Sequence, residues 1–559
     1  MEPSTATATA EAKASRTDLI AAAAALADDR GGPGGFVRDL FGRVAPEDLT
    51  AYTPEALADL ALAARAHLAA ARPGRTTSAV RLSDAEVEQG GRRRDLTVIE
   101  AVNANRPFLL DSTLAEIVAR GYRPRLVAHP ILGVERDAEG ALVRVVGETT
   151  AQETGGEAGG LARESFIHVH LDRIDDEAAR AALHASLTRV YADVAVTAAD
   201  HTAMVEHLAE AAAAYTDAPS PLAPEERAEA RAFLDWLRDG HFVLLGLREY
   251  RDADGADHAG VPGSGLGLLR DPAVEVLRRG DAMVAVTPEI RAFLEGPEAL
   301  MVTKASLRSR VRRQAHLDMV AIKLFTAEGG LAGELRLVGL FTGSAYASRA
   351  EEVPFLRRKV AAVLRKAGLD PTSHAGRSLV HVLETYPRDD LFQIEPGLLL
   401  RFALAIVSLA DRPRVRVLAR PDKFGRFVSL IAYLPKDRTD ARLQARIGAY
   451  LAEGLGGRLS TIAPDYPEGP LARFHVIVAT PDAPPDEINA GRLEAGIAEL
   501  ARTWADSLRD ALSESRGGDA RGLAAVYADA FPAGYREMYA GAQALPDIAI
   551  LERISEGQP

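Results

Sequence analysis

Three stretches of this chain read as a succession of short apolar strands, an architecture shared without an obvious sequence repeat. That succession limits the fold more than any single motif. In the first stretch, LTVIEAV (96–102) reads as a strand. Residues 109–120 then place apolar side chains at helical spacing and stop at Gly121, a favoured helix terminator. RLVAHPILGVERD (125–137), LVRVVGE (142–148) and ESFIHVHLDRI (164–174) supply further strands, and Asp175-Asp176-Glu177 opens a helix with acids in its first turn, as the helix dipole favours. Strand, helix, strand, strand, helix is the split βαβ plan of ferredoxin-like domains. A second stretch starts at HFVLLGLREYRD (241–252) and returns to strands through residue 341. The third runs from RVRVLAR (414–420) through RFVSLIAYLP (426–435) and a helix over 441–455 to ARFHVIVAT (472–480). The expected fold class is therefore multidomain α+β, and 559 residues are too many for one core.

Composition narrows what such a chain can do. A formal net charge of -13 disfavours nucleic acid and anionic membranes as main partners. The absence of cysteine removes disulfides, thiolate metal sites and cysteine nucleophiles. No apolar run approaches the ~20 residues a membrane span needs, and residues 1–16 lack a signal core. The expectation is a cytoplasmic protein. The expected segments are a disordered 1–16, a helical cap and linker over 17–94, and a first sheet domain over 95–195. A helical connector over 196–238 leads to a second α+β domain with a mixed sheet over 239–350. A further connector (351–411), a third sheet domain (412–482) and a long helix with a helical tail (483–559) complete the plan.

Two clusters stand out as candidate sites. The loop from 103 to 108 joins a buried-looking strand to a helix, and Asn103, Asn105, Arg106, Asp111 and Ser112 surround that helix start. Backbone N–H groups and Arg106 suit the carboxylate of an amino-acid zwitterion. The plainer alternative is that these side chains cap and pair locally. Lys304, Arg308, Arg310, Arg312 and Arg313 fall within ten residues, and alternation puts 308, 310 and 312 on one face of an extended segment. That face suits an anion, or an inter-domain salt-bridge surface.

Other patterns carry less. His168 and His170 share one strand face but have no third ligand at metal spacing, so they read as packed or paired histidines. Gly263-Ser264-Gly265-Leu266-Gly267 lacks the final spacing and the following helix of a dinucleotide fingerprint and reads as a turn. Asp389 and Asp390 have the chemistry for acid–base work without a visible facing partner. Catalytic and metal-binding residues are assigned to none of these positions.

RPFLLDS (106–112), ESFIHVHLDRI, FLDWLRDGHFVLLGLREY (233–250), GSGLGLLR and the tail RGLAAVYADAFPAGYREMYAGAQALPDIAILERI (521–554) resemble the large class of bacterial NAD-specific glutamate dehydrogenases. The resemblance covers residues 95–554. It implies ACT-like sandwiches and a PAS-like sheet joined by helical segments, forming the N-terminal part of a longer, homo-oligomeric enzyme. The parent reaction would convert L-glutamate, NAD and water to 2-oxoglutarate, ammonium and NADH, with NAD as its cofactor. No Gly-Gly-x-Lys segment and no Rossmann fingerprint stand in this chain. The resemblance therefore implies a non-catalytic region without a cofactor of its own, whose partners are an amino-acid effector and the catalytic domain of the same enzyme. A free-standing amino-acid sensor and a scaffold that binds nothing are the alternatives.

Overall fold

The computed structural model describes residues 5–74, 77–89, 91–149, 161–217, 219–252, 258–279, 282–370, 372–480, 487–516, 520–555 and 557. The glycine-rich loop expected over 153–160 lies outside them. The chain divides into two compact units, residues 1–277 with 283–347, and residues 278–282 with 348–559.

In the first unit, alanine and leucine dominate the opening helices α1 (Thr5–Asp29), α2 (Gly34–Phe41), α3 (Pro46–Leu49) and α4 (Pro54–Ala70). Alanine is the strongest helix former, and α1 takes in residues 5–16, the segment read as disordered. Thr53 caps α4 by accepting the Ala56 N–H, with Pro54 just inside the helix.

A six-stranded antiparallel sheet follows: β1 (Ala79–Gln89), β2 (Arg92–Ala104), β3 (Leu126–Ala128), β4 (Ile131–Arg136), β5 (Leu142–Glu148) and β6 (Ala162–Asp172). Its order is β1-β2-β6-β4-β5, with β3 also on β6. Strand β1 falls in the segment read as linker, because AVRLSDAEVEQ has a polar face that hides its pairing with β2. Helix α5 (Leu109–Ala119) lies between β2 and β3. Residues 96–103 of β2 are buried without alternation, so both faces are covered. The four opening helices close one face in a shared core that includes Phe36, Phe41, Leu57, Leu68 and Phe166.

Helix α6 (Glu177–Asp217) runs 41 residues without a break, about 60 Å at 1.5 Å per residue. No glycine or proline interrupts it, so the domain boundary expected at 195 falls inside one helix. Its Tyr191 hydroxyl meets Thr113 of α5 at 2.8 Å. Further along, the Asp200 carboxylate accepts the Gly267 N–H at 2.8 Å. One helix thus serves two domains.

The second domain holds α7 (Pro224–Trp236), β7 (Phe242–Arg251), β8 (Ala259–Gly260), β9 (Leu266–Gly267), β10 (Leu277–Arg279), β11 (Ala282–Val284), α8 (Pro288–Glu295), β12 (Leu300–Arg308), β13 (His316–Phe325), β14 (Leu331–Phe341) and α9 (Gly343–Ala347). The sheet expected to be mixed is antiparallel at each described pairing, in the order β12-β13-β14-β7-β8 with β9 on β7. Short loops between β12, β13 and β14 leave no length for parallel crossovers.

The second unit opens with α10 (Leu356–Ala367), α11 (His374–Thr385), α12 (Arg388–Gln393) and α13 (Pro396–Asp411). Its four-stranded sheet joins β15 (Arg416–Pro421), β16 (Phe427–Pro435), β17 (Arg458–Asp465) and β18 (Leu471–Ala479) in the order β15-β16-β18-β17. Helices α14 (Ala441–Gly454) and α15 (Ala490–Leu500) bury Val428, Leu430, Phe474 and Val476 on one face. The single helix expected over 484–516 is two. Thr503 and Asp506 exchange hydrogen bonds that start α16 (Trp504–Arg516) afresh. Helices α17 (Ala520–Tyr527), α18 (Ala533–Met538) and α19 (Leu545–Ser555) finish the chain.

Candidate functional site

Asn103 closes the buried run of β2, and the chain then turns through residues 105–108 into α5. The turn is tight enough to hold Phe108 at φ +69°, a left-handed conformation rarely adopted by an aromatic residue. No side chain caps α5, so the amides of its first turn face outward without the oxygen that a serine or aspartate would supply. Arg106 is half-buried, and burial holds its guanidinium below the usual range. Asp111 is exposed on the first turn, while Ser112 is buried. The Asn103 amide nitrogen is buried with no hydrogen-bond partner among the described residues.

The second predicted cluster comes to the same place. Strand β12 ends at Arg308, and residues 309–315 fold into a tight loop in which Ser309 N–H donates to the Ala315 carbonyl at 2.7 Å. Arg312 sits at φ +68°, the second strained non-glycine residue of this neighbourhood. Its backbone N–H donates to Ser112 Oγ at 2.8 Å, and its guanidinium lies 5.8 Å over the Phe108 ring. Gln314 donates to Glu116 of α5 at 2.6 Å. Arg310 reaches Asp193 of α6 at 2.9 Å.

The extended face expected of Arg308, Arg310 and Arg312 does not form, because the loop breaks the alternation at 309. Arg308 turns back to the Gln314 carbonyl, Arg313 donates to the Phe341 carbonyl at 3.1 Å, and Lys304 pairs with Asp318 across β13. Of the predicted residues, Ser112 and Arg312 meet directly, and Arg310 braces the same junction through α6. Asn103 and Arg106 line the approach along the chain; Lys304, Arg308 and Arg313 serve the second domain's own sheet and loop.

Burial and hydrogen bonding oppose each other at this seam. Burial works to raise the Glu116 carboxyl, but bonds from Ser186, Arg120 and Gln314 outweigh it and hold it below the usual range. Burial raises Asp193, with Arg310 opposing. Phe108, Glu116, Asp193 and Gln314 were not read as site residues. Phe108 gave no signal, since left-handed positions usually announce themselves as glycine.

Two other clusters are now placed. His168 and His170 are fully buried between Glu100 and Tyr52, with 2.7 Å between their Nε2 atoms. In the second unit Asp390 is buried and receives Arg420 Nε at 2.8 Å, with the Tyr386 hydroxyl at 3.3 Å. That facing arginine gives Asp390 a structural partner. Among the described residues no group of three or more His, Asp or Glu side chains is arranged to hold a metal ion, and no helix is long and apolar enough to cross a membrane.

Family models of glutamate dehydrogenase match this chain in four segments: the ACT1 domain over residues 36–187, helical motif 1 over 353–412, the ACT2 domain over 416–505 and helical motif 2 over 511–554. The first reaches back over α2–α4, so the cap belongs to the module that matches. The NAD-specific glutamate dehydrogenase of Pseudomonas aeruginosa is 32% identical over 531 residues, 94% of this chain and 32% of that protein. That of Halomonas elongata is 33% identical over 492 residues, 86% of this chain and 30% of its own. That of Mycobacterium tuberculosis is 30% identical over 471 residues, 82% and 28% respectively. The chain thus spans about a third of the length of the curated relatives it matches. It belongs to the family of bacterial NAD-specific glutamate dehydrogenases, whose ACT and helical-motif regions it carries.

Proposed function

We propose that this chain is the N-terminal regulatory and oligomer-forming region of an NAD-dependent glutamate dehydrogenase, itself non-catalytic, and that an amino acid acts at the start of α5. The parent reaction is the conversion of L-glutamate, NAD and water to 2-oxoglutarate, ammonium and NADH. The observation that supports the sensing role is the contact between the α5 start and the 309–315 loop, through Ser112 and the Arg312 amide. A carboxylate received by the uncapped first-turn amides and Arg106, with Asn103 at the edge, would press on Phe108 and so on Arg312. Two left-handed residues in contact give the junction two ways to relax, and a ligand that favours one of them shifts both domains.

The test is isothermal titration of the chain with the common amino acids, alongside 2-oxoglutarate, NAD and NADH. One amino acid should bind, with the affinity lost in Arg106→Ala. Binding that survives Arg106→Ala would place the ligand elsewhere, and silence across the amino acids would favour a scaffold. Binding of NAD or NADH would contradict a non-catalytic region without a dinucleotide site.

A further inference from the structure

The face of the first ACT-type sheet that lies under the opening helices carries a buried polar chain running from β1 to the loop before α4. Arg81 Nε donates to Glu100 Oε2 at 2.7 Å, and its Nη2 donates to the Ala63 carbonyl of α4 at 2.9 Å. Glu100 Oε1 stands 3.2 Å from His168 Nδ1. His168 Nε2 is 2.7 Å from His170 Nε2, and His170 Nδ1 is 2.8 Å from the Tyr52 hydroxyl. Both imidazoles are 0% exposed. Phe41 and Phe166 pack on His168, with ring centroids 5.9 and 6.3 Å away. One end of the chain is therefore on the sheet and the other on the cap.

The contacts fix where the protons sit. Glu100 accepts only, so His168 carries its hydrogen on Nδ1 and offers Nε2 as an acceptor. His170 must then donate from Nε2, which leaves its Nδ1 to accept the Tyr52 O–H. With both rings neutral, each nitrogen and the phenol has one partner and one role. Burial pushes the Tyr52 phenol up to about 12, so it stays a donor.

One added proton reverses this order. His170 then holds N–H on both nitrogens and keeps its donation from Nε2 to His168 Nε2. Its Nδ1 now donates to the Tyr52 oxygen, and the Tyr52 hydrogen loses that acceptor. The added charge is also buried, one ring away from a carboxylate that Arg81 already pairs. We infer that the Tyr52–His170–His168–Glu100 chain is a proton-reversible latch that holds the N-terminal helical cap on the first ACT-type sheet and releases it on acidification.

Burial, then repulsion from His168, holds His170 well below its ordinary range. His67 of α4 is lowered by burial, with Glu100 opposing and Arg81 and His168 assisting. Asp48, Arg94 and Arg125 act on Tyr52 only at a distance. A histidine whose folded value is depressed contributes its stability fully above the unfolded value of about 6.5, and loses it as pH falls below that point. Release therefore belongs to the window below about pH 6.5.

Hydrogen exchange of the full chain at pH 7.5 and 5.5, corrected for the pH dependence of intrinsic exchange, reads the latch directly. Amides of α2 and α4 should lose about tenfold or more of their protection, while those of β16 and β18 keep theirs as an internal control. His170→Asn should remove most of that step, and His67→Gln should leave most of it. Tyr52→Phe should loosen the cap about tenfold already at pH 7.5, an arm that stands even if His170→Asn fails to fold. A cap equally protected at both pH values would overturn the latch. So would a loss shared by β16 and β18, or a full step retained in His170→Asn.

Discussion

In the first ACT-type domain, residues 96–103 of β2 are buried on both faces, one of them under the cap helices. In the second, β18 alternates buried with half-buried positions and β17 is largely exposed. The first sheet therefore had to admit polar groups into a closed interior, and it did so as a fully partnered chain from Arg81 to Tyr52. The second meets helical motif 1 through a few strong contacts, chiefly Asp390 with Arg420 and the Arg473 guanidinium on the Thr385 carbonyl at 2.6 Å. Two sheets that both open strand, strand, helix thus differ in what covers them. Covering with a helical cap creates a place to store a proton state, whereas a point anchor creates only a hinge to break.

The largest test of that difference is the shared core. Phe166 is 0% exposed, lies in the same core cluster as Phe36 and pairs edge-on with its ring at 6.1 Å. Phe166→Ala should cost about 3–5 kcal/mol and unfold cap and sheet together in calorimetry. Phe474→Ala, equally buried in the second sheet, should cost as much while leaving the cap's exchange protection intact. A cap loosened equally by both would erase the contrast.

Asp390→Ala comes next. It leaves Arg420 buried without its carboxylate, at a cost of about 3–5 kcal/mol, and Arg420→Met in the same chain should recover most of it. An Asp390→Ala loss below about 1 kcal/mol would mean that the anchor is not a discrete ion pair.

Lys359, whose ammonium donates to the Leu391 and Phe392 carbonyls at 2.9 Å inside helical motif 1, gives a pH-dependent test beside that anchor. Burial lowers its ammonium from 10.5 to about 8. Between those values the unfolded chain binds more protons than the folded one, so stability rises with pH, by roughly 1–3 kcal/mol from pH 8 to 10. Urea titrations across that range should show the rise in the wild type and lose it in Lys359→Met. The smallest effect is Thr53→Ala, which removes the cap of α4 for about 1 kcal/mol and should act on the first sheet domain alone.

Much of this was legible in apolar runs and helix punctuation. LTVIEAV, RFVSLIAYLP and ARFHVIVAT became β2, β16 and β18 because their β-branched and aromatic residues cannot be satisfied outside a sheet. Polar strand β1 was hidden because its pairing, and not its pattern, holds it. The continuity of α6 was hidden by reading two domains where one helix serves both. At the candidate site, Ser112 and the basic run were visible as separate clusters. Their meeting depends on the left-handed turns at Phe108 and Arg312 and on contacts nearly two hundred residues apart, which local spacing does not encode. The histidine pair was legible as paired, but its partners Glu100 and Tyr52 come from another strand and from the cap.

The most direct test of the regulatory reading is hydrogen exchange across residues 105–113 and 309–315, with and without a saturating amino acid that binds the chain. Both segments should change protection together, and Ser112→Ala should uncouple them so that only 105–113 responds. A response confined to 105–113 in the unaltered chain, or none in either segment, would contradict a site that spans the two domains.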